Sequence, residues 1–226
     1  MAIVTVSREY GSAGSEIARK AADALGYDFV DKEVVGRLLA SYGLIDFSKA
    51  YETESGIWSR FDDRQRTMID MLDRVAKAVA RRGRAVILGR GFYLSLAGFP
   101  CLLNVRVRAP FEWRVSRVLK EGKISDRRQA EASTREGDKV RSSFVSSVYG
   151  ARWDSMEGFD LVIDSSKIGI DRVASWIAQA AADLDASPGL AAAADLDASP
   201  GLAAAADFGK PDPVLDEAVA AELGEK

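Results

Sequence analysis

The chain has 226 residues, 47% of them hydrophobic and 29% charged, a balance that suits one compact α/β domain with a tail and excludes a disordered chain or a membrane bundle. It holds no histidine and one cysteine, Cys101, which excludes His-dependent triads, His and Cys metal sites and internal disulfides. The net charge of −3 conceals an acidic segment over 181–226, with ten Asp/Glu against two Lys, and a moderately basic body that suits an anionic partner as well as an ordinary solvated surface.

Taken in order, the body alternates strands with helices. Ala2 to Val6 is a β-branched apolar run that ends in a glycine-containing turn, Ser7 to Gly14. Ser15 to Leu25 carries Ile17, Ala18, Ala21, Ala22 and Leu25 at the spacing of one helical face. Tyr27 to Val30 is a short strand, and Asp31 to Ser41 and Gln65 to Arg82 are helical. Ala85 to Leu88, Leu102 to Val107 and Asp160 to Ile163 are further strands, and helices Pro110 to Lys120 and Ile170 to Ala182 follow the last two. The pattern predicts a parallel sheet covered on both faces, with ligands at the carboxyl ends of the strands.

Residues 181–192 recur letter for letter at 193–204. Each copy holds Ser-Pro-Gly and only two leucines, so a flexible linker or tail is expected, not a solenoid. Val214 to Leu223 is expected to form one short helix, docking on the body or on another chain. No apolar run approaches the roughly 18 residues of a membrane span, so a soluble, cytoplasmic protein without a membrane partner is expected.

A phosphate-binding loop would sit where the first strand turns into the first helix, because loop N–H groups and a helix N-terminus together make an anion site. Here Gly14 is followed by Ser15 and Glu16. The lysine and the metal-binding hydroxyl of a complete Walker pattern are therefore absent from their usual places. An ordinary turn with Ser12 or Ser15 as helix cap explains the same residues.

Ser7-Arg8-Glu9-Tyr10-Gly11-Ser12-Ala13-Gly14, followed by Tyr27 to Glu33, Val86 to Gly91, Val107 to Arg117, Asp138 to Arg141, Trp153 and Phe159 to Asp164, resembles the cytidylate kinase-like family in order and spacing. The resemblance covers about residues 2 to 180. It implies a three-layer P-loop NTPase fold over residues 1–180, with a parallel central sheet, a helical monophosphate-binding portion at about 31–82 and a lid at about 120–150; the duplicated tail, 181–226, is unmatched. It also implies phosphoryl transfer from ATP, with Mg2+ as cofactor, to a pyrimidine nucleoside monophosphate, CMP or dCMP. Such chemistry runs on positioning and on cations over the phosphate oxygens, and needs no histidine.

By resemblance, Gly11, Ser12, Ala13, Gly14, Ser15 and Glu16 bind ATP phosphate, together with Arg114 and Arg117. Arg8, in the same pattern, is assigned to replace the absent lysine, its planar fork bridging phosphate oxygens; an exposed loop arginine is the alternative. Asp31 and Arg37 match the acceptor site. Six residues separate them, about 600° around a helix, so Arg37 would face a phosphate while Asp31 caps the helix; a capping role alone is the other reading. Arg90 follows a buried strand and matches the family's Gly-Arg, although Gly91 stands where the pattern has Asp. Arg135 and Arg141 are expected to act catalytically from the lid, with Asp138 beside them; a solvated basic helix face is the alternative. No residue is assigned as a metal ligand. Sparse aromatic interleaving and overall acidity speak against nucleic acid. Asp164 is expected to place the loop near adenine, Trp153 to pack or to stack on a base, Cys101 to be buried, and about Leu44 to Arg66 to set acceptor specificity. A binding or regulatory protein that keeps this fold without catalysis is the competing reading.

Overall fold

The computed structural model describes residues 1–42, 63–122, 124–187 and 211–224. Five strands, β1 (Ile3–Arg8), β2 (Asp28–Val30), β3 (Ala85–Leu88), β4 (Leu102–Arg108) and β5 (Leu161–Asp164), form one parallel sheet in the order β2-β3-β1-β4-β5. Eight helices accompany them among the described residues: α1 (Gly14–Leu25), α2 (Lys32–Ser41), α3 (Asp63–Arg82), α4 (Phe92–Ser95), α5 (Phe111–Lys120), α6 (Arg127–Tyr149), α7 (Ile170–Ala186) and α8 (Pro213–Leu223).

The alternation of side chains along each strand supplies two faces, and both are covered. Val4, Val6, Val86, Val105 and Val107 pack under Ile17 and Ala21 of α1 and Val173 and Ile177 of α7. Ile3, Ala85 and Ile87 pack on the opposite face under Leu39 of α2, Leu72 and Val75 of α3, Phe92 of α4 and Phe144 of α6. The result is the expected three-layer α/β arrangement.

Three differences from the sequence expectations matter. β1 runs on through Ser7 and Arg8, because β4 extends to pair Ser7 with Arg106 and Arg8 with Val107. The lid region contains one long helix, α6, that the sequence did not announce; Asp126 caps its start by accepting from Gln129 N (2.8 Å). α7 continues to Ala186, so the tail boundary at 181 falls inside a helix whose Ala181 is buried.

The short C-terminal helix forms where it was expected: α8 docks on α2 and α3. Leu215 and Val219 are fully buried in the shared core. Arg74 pairs with Asp212, Arg81 with Asp216 (2.8 Å), and Arg82 donates to the Gly224 carbonyl. Of the two docking partners expected for this helix, the body is the one it meets. Residues 188–210, which hold most of the duplication, and most of the specificity segment from Leu44 lie outside the described residues. No described helix is long and apolar enough to cross a membrane.

Candidate functional site

The chain leaves β1 toward α1 on one face of the sheet and leaves β3 toward α4 on the other, so a crevice opens between their carboxyl ends. Residues 9–13 form its rim. Glu9 N donates to the Val107 carbonyl (3.1 Å), and the buried Ser12 hydroxyl donates to the Glu9 carbonyl (2.9 Å). Ser165 Oγ donates to the Ser12 carbonyl (2.6 Å). The Ser12 N–H also donates to the Glu9 carbonyl (3.3 Å), so both Ser12 donors are spent on the loop itself. Ala13 sits in the left-handed region (φ 62°) immediately before α1, which leaves the helix's first N–H groups at the loop as an anion site.

Two clefts meet here. One, of about 290 Å³, is lined by the loop itself, Gly11 to Glu16, with Arg117 on its far side. The other, of about 440 Å³, is lined by Lys32, Leu88, Arg90 and the α6 residues Ser133, Glu136, Gly137 and Val140. Arg8, Tyr10 and Arg141 line both. Arg8 and Arg141 therefore stand at the junction of the loop cleft and a second, larger cleft.

Local backbone geometry places these cations. Arg90 is only 4% exposed and adopts φ 59° at the turn after β3. Its carbonyl accepts from the Tyr149 hydroxyl (3.0 Å). Gly91, at φ 67°, lies against the Tyr149 ring, and a Cβ there would overlap that ring. The family pattern's Asp has no room at this position. Gly89 is similarly filled by the Arg8 guanidinium, which passes over its backbone. Arg141 lies over the Tyr10 ring (5.4 Å) and donates to the Gly137 carbonyl.

The remaining expected site residues have their own partners. Arg114 is turned to the loop backbone and Asp138. It is 7% exposed, and its Nε donates to the Ala109 carbonyl (3.0 Å) while Nη1 donates to the Tyr10 carbonyl (2.9 Å) and to Asp138 (2.7 Å). Asp138 also accepts from Tyr10 N (2.7 Å), so this pair braces the loop. Arg135 lies over Phe111 (4.3 Å) with most of its side chain in solvent, and lines neither cleft. Arg117 pairs with Glu16 (2.7 Å) and Glu121 (3.2 Å) at the loop cleft.

Asp31 is the α2 cap, accepting from Glu33 N (3.0 Å) and Val34 N (3.2 Å). α2 turns Lys32 to the larger cleft and Arg37 to α8, where Glu222 meets it at 2.7 Å. Asp164 accepts from Ser166 N (2.9 Å) and the Ser166 hydroxyl (2.6 Å), and that hydroxyl holds its carboxyl below the usual carboxylate range. Beside it a shallow third cleft of about 450 Å³ lies between Trp113 and residues 165–171. Cys101 is buried. Trp153 carries the Arg106 guanidinium on its ring (4.1 Å), the place expected for a base.

Sequence reasoning missed Lys32, Tyr10, Tyr149 and Arg106. Lys32 begins a helix that follows a strand end, which is a usable signal. Tyr149 sits far from Gly91 along the chain, and only the return of α6 joins them. Arg106 interrupts an apolar strand, and that interruption was the available clue.

The sequence profile of the cytidylate kinase-like family matches residues 3–167. A cytidylate kinase from Ignicoccus hospitalis is 30% identical over 184 residues, which cover 78% of this chain and 97% of that protein. One from Methanopyrus kandleri is 28% identical over 186 residues, covering 80% and 93%. Among solved structures, a protein from Eubacterium ventriosum described as uncharacterized superposes with a TM-score of 0.62 at 19% identity, covering 80% of this chain and 99% of that one.

Proposed function

The chain belongs to the cytidylate kinase-like family, and on that footing we propose that it transfers the γ-phosphoryl of Mg-ATP to a pyrimidine nucleoside monophosphate, CMP or dCMP first. The observation that carries the reading is the position of Arg8 and Arg141, which line both the phosphate loop and the larger cleft. A phosphoryl group passing from a donor in one to an acceptor in the other crosses the space between them. There an acceptor phosphate oxygen forms the new P–O bond as the bond to the β-phosphate oxygen breaks, and no proton need move.

In this reading the N–H groups of Gly11 and of Ala13 to Ser15 hold the donor's β-phosphate, and Arg8 stands in for the missing lysine. Lys32 and Arg90 take the acceptor phosphate in the larger cleft, a role first expected of Arg37. The third cleft, beside Trp113 and Ser165, takes the adenine. Magnesium fits as an ion carried on donor phosphates. Ser15 and Glu16 are the exposed oxygen donors at the loop, and no group of three acidic, His or Cys side chains able to hold a metal occurs among the described residues. Mg2+ commonly keeps waters and takes phosphate ligands in this way. When bound, it neutralises charge on the phosphate oxygens. Buried arginines act by preorganisation, because their positive charge is in place before the reaction starts.

The test is incubation of the protein with Mg-ATP and, separately, CMP, dCMP, UMP, AMP and GMP, followed by chromatography of the diphosphates, with Arg90→Ala alongside. CDP or dCDP formation that falls at least about 100-fold in Arg90→Ala is expected. ATP binding without product from any acceptor favours the binding or regulatory reading, to which Ser15, Glu16 and Gly91 lend support.

A further inference from the structure

Arg106 is the largest fully buried side chain among the described residues, at 1% exposure. It occupies a strand interior, flanked along β4 by Val105 and Val107, whose side chains enter the core on the other face. No carboxylate of the described residues lies within ion-pair distance of it. Its contacts are the Ser7 hydroxyl, which accepts from Nη1 (2.9 Å), the Trp153 ring at 4.1 Å and, more distantly, the Phe159 ring at 5.9 Å. Its Nε has no hydrogen-bond partner among the described residues.

A buried cation without a counter-ion is costly. Burial pushes the Arg106 guanidinium down from its ordinary value, and Glu9 and Asp138 oppose that shift from a distance. An arginine nevertheless stays charged inside a protein. The two groups that Arg106 holds, Ser7 and Trp153, line with Arg8, Arg90 and Arg141 a narrow recess of about 10 Å³, behind the two clefts that Arg8 and Arg141 share. The charge thus sits directly beneath the arginine cluster, where a bound polyanion would offset it.

We propose that Arg106 is a positioning residue of the phosphoryl site: it fixes Ser7 and Trp153 in the packed layer behind the clefts, against Arg8, Arg90 and Arg141, and supplies a permanent positive charge behind those three arginines for a bound polyphosphate. The proposal rests on the phosphoryl-transfer reading and adds a residue to it. Arg106 acts through its neighbours and through its field, without touching the ligand.

Isothermal titration with inorganic tripolyphosphate, on wild type, Arg106→Met and Arg106→Lys, tests it without requiring turnover. Arg106→Met, similar in length and uncharged, is expected to weaken binding about tenfold, as loss of one nearby buried charge should. Arg106→Lys keeps the charge and is expected to restore affinity to within about threefold of wild type. If Arg106→Met does not fold, Arg106→Gln, which keeps a donor for Ser7 without the charge, carries the same comparison. Neutral variants that bind tripolyphosphate as wild type does, or a lysine variant as weak as the neutral ones, overturn the proposal. A wild type that does not bind tripolyphosphate overturns the phosphoryl-transfer reading, and this proposal with it.

Discussion

Arg8 and Arg106 on strands, Arg90 in a turn and Arg114 on helix α5 are four arginines around one crevice, and their surroundings differ. Arg114 spends its donors on two carbonyls and Asp138, so removing it leaves a half-buried carboxylate without its cation and a loop without its brace. Arg114→Ala is therefore expected to cost about 3–5 kcal/mol of stability, read as a lower midpoint in urea. An unchanged midpoint would contradict the bracing role. Gly91→Asp, which installs the family pattern's residue, is expected to destabilise the fold as well, because the new Cβ meets the Tyr149 ring at a left-handed backbone position. Wild-type melting in that variant would show that Tyr149 can leave at little cost. The sequence revealed that these arginines exist and that Gly91 departs from the pattern. It held no clue to which guanidinium was already satisfied, since Arg114 is saturated by groups up to 104 positions away in the chain.

At the scale of elements, strands and amphipathic helices were legible because their periodicities are local. The four apolar residues of β3 and the stripe of α1 appear where their patterns place them. α6 was not legible: charged residues run around much of its circumference, and its buried contacts, such as Phe144 under β3 and Gly137 against Tyr10, are tertiary.

The docking of α8 was foreseen only as one of two possibilities. Leu215 is fully buried against α2 and α3, so Leu215→Ala is expected to cost about 2–5 kcal/mol, lowering Tm by roughly 5–15 °C in a chain of this size. A Tm unchanged by the substitution would mean that α8 does not pack there in solution. The same contact depends on pH. The Asp212 carboxyl is held low, first by its capping hydrogen bond from Leu215 N and also by Arg74. A carboxyl depressed by folding contributes stability above its unfolded pKa, about 3.9, and that contribution is lost as pH falls through the lower folded value. The melting difference between wild type and Asp212→Ala should accordingly be present at neutral pH and shrink below about pH 4.

For the whole molecule, the parallel sheet brings a strand-to-helix loop, a second strand end and a distant helix to one edge, and thereby gathers cations that the chain carries far apart. Arg8, Arg90 and Arg141 span 133 positions in sequence and line one small recess in the structure. That convergence is what the sequence expressed only through resemblance, whereas the acceptor role assigned to Arg37 followed the resemblance to a residue that the fold turns toward Glu222. The central claim is that Arg8 replaces a lysine at the point where phosphate crosses from donor to acceptor. The most direct test is the steady-state rate of CDP formation from Mg-ATP and CMP by wild type and Arg8→Ala, with Tm measured for both. A kcat that falls by about 10²–10³, as loss of one preorganised charge in such a site predicts, with Tm within a few degrees of wild type, is the result expected. A folded Arg8→Ala protein that turns over as fast as wild type would contradict the account.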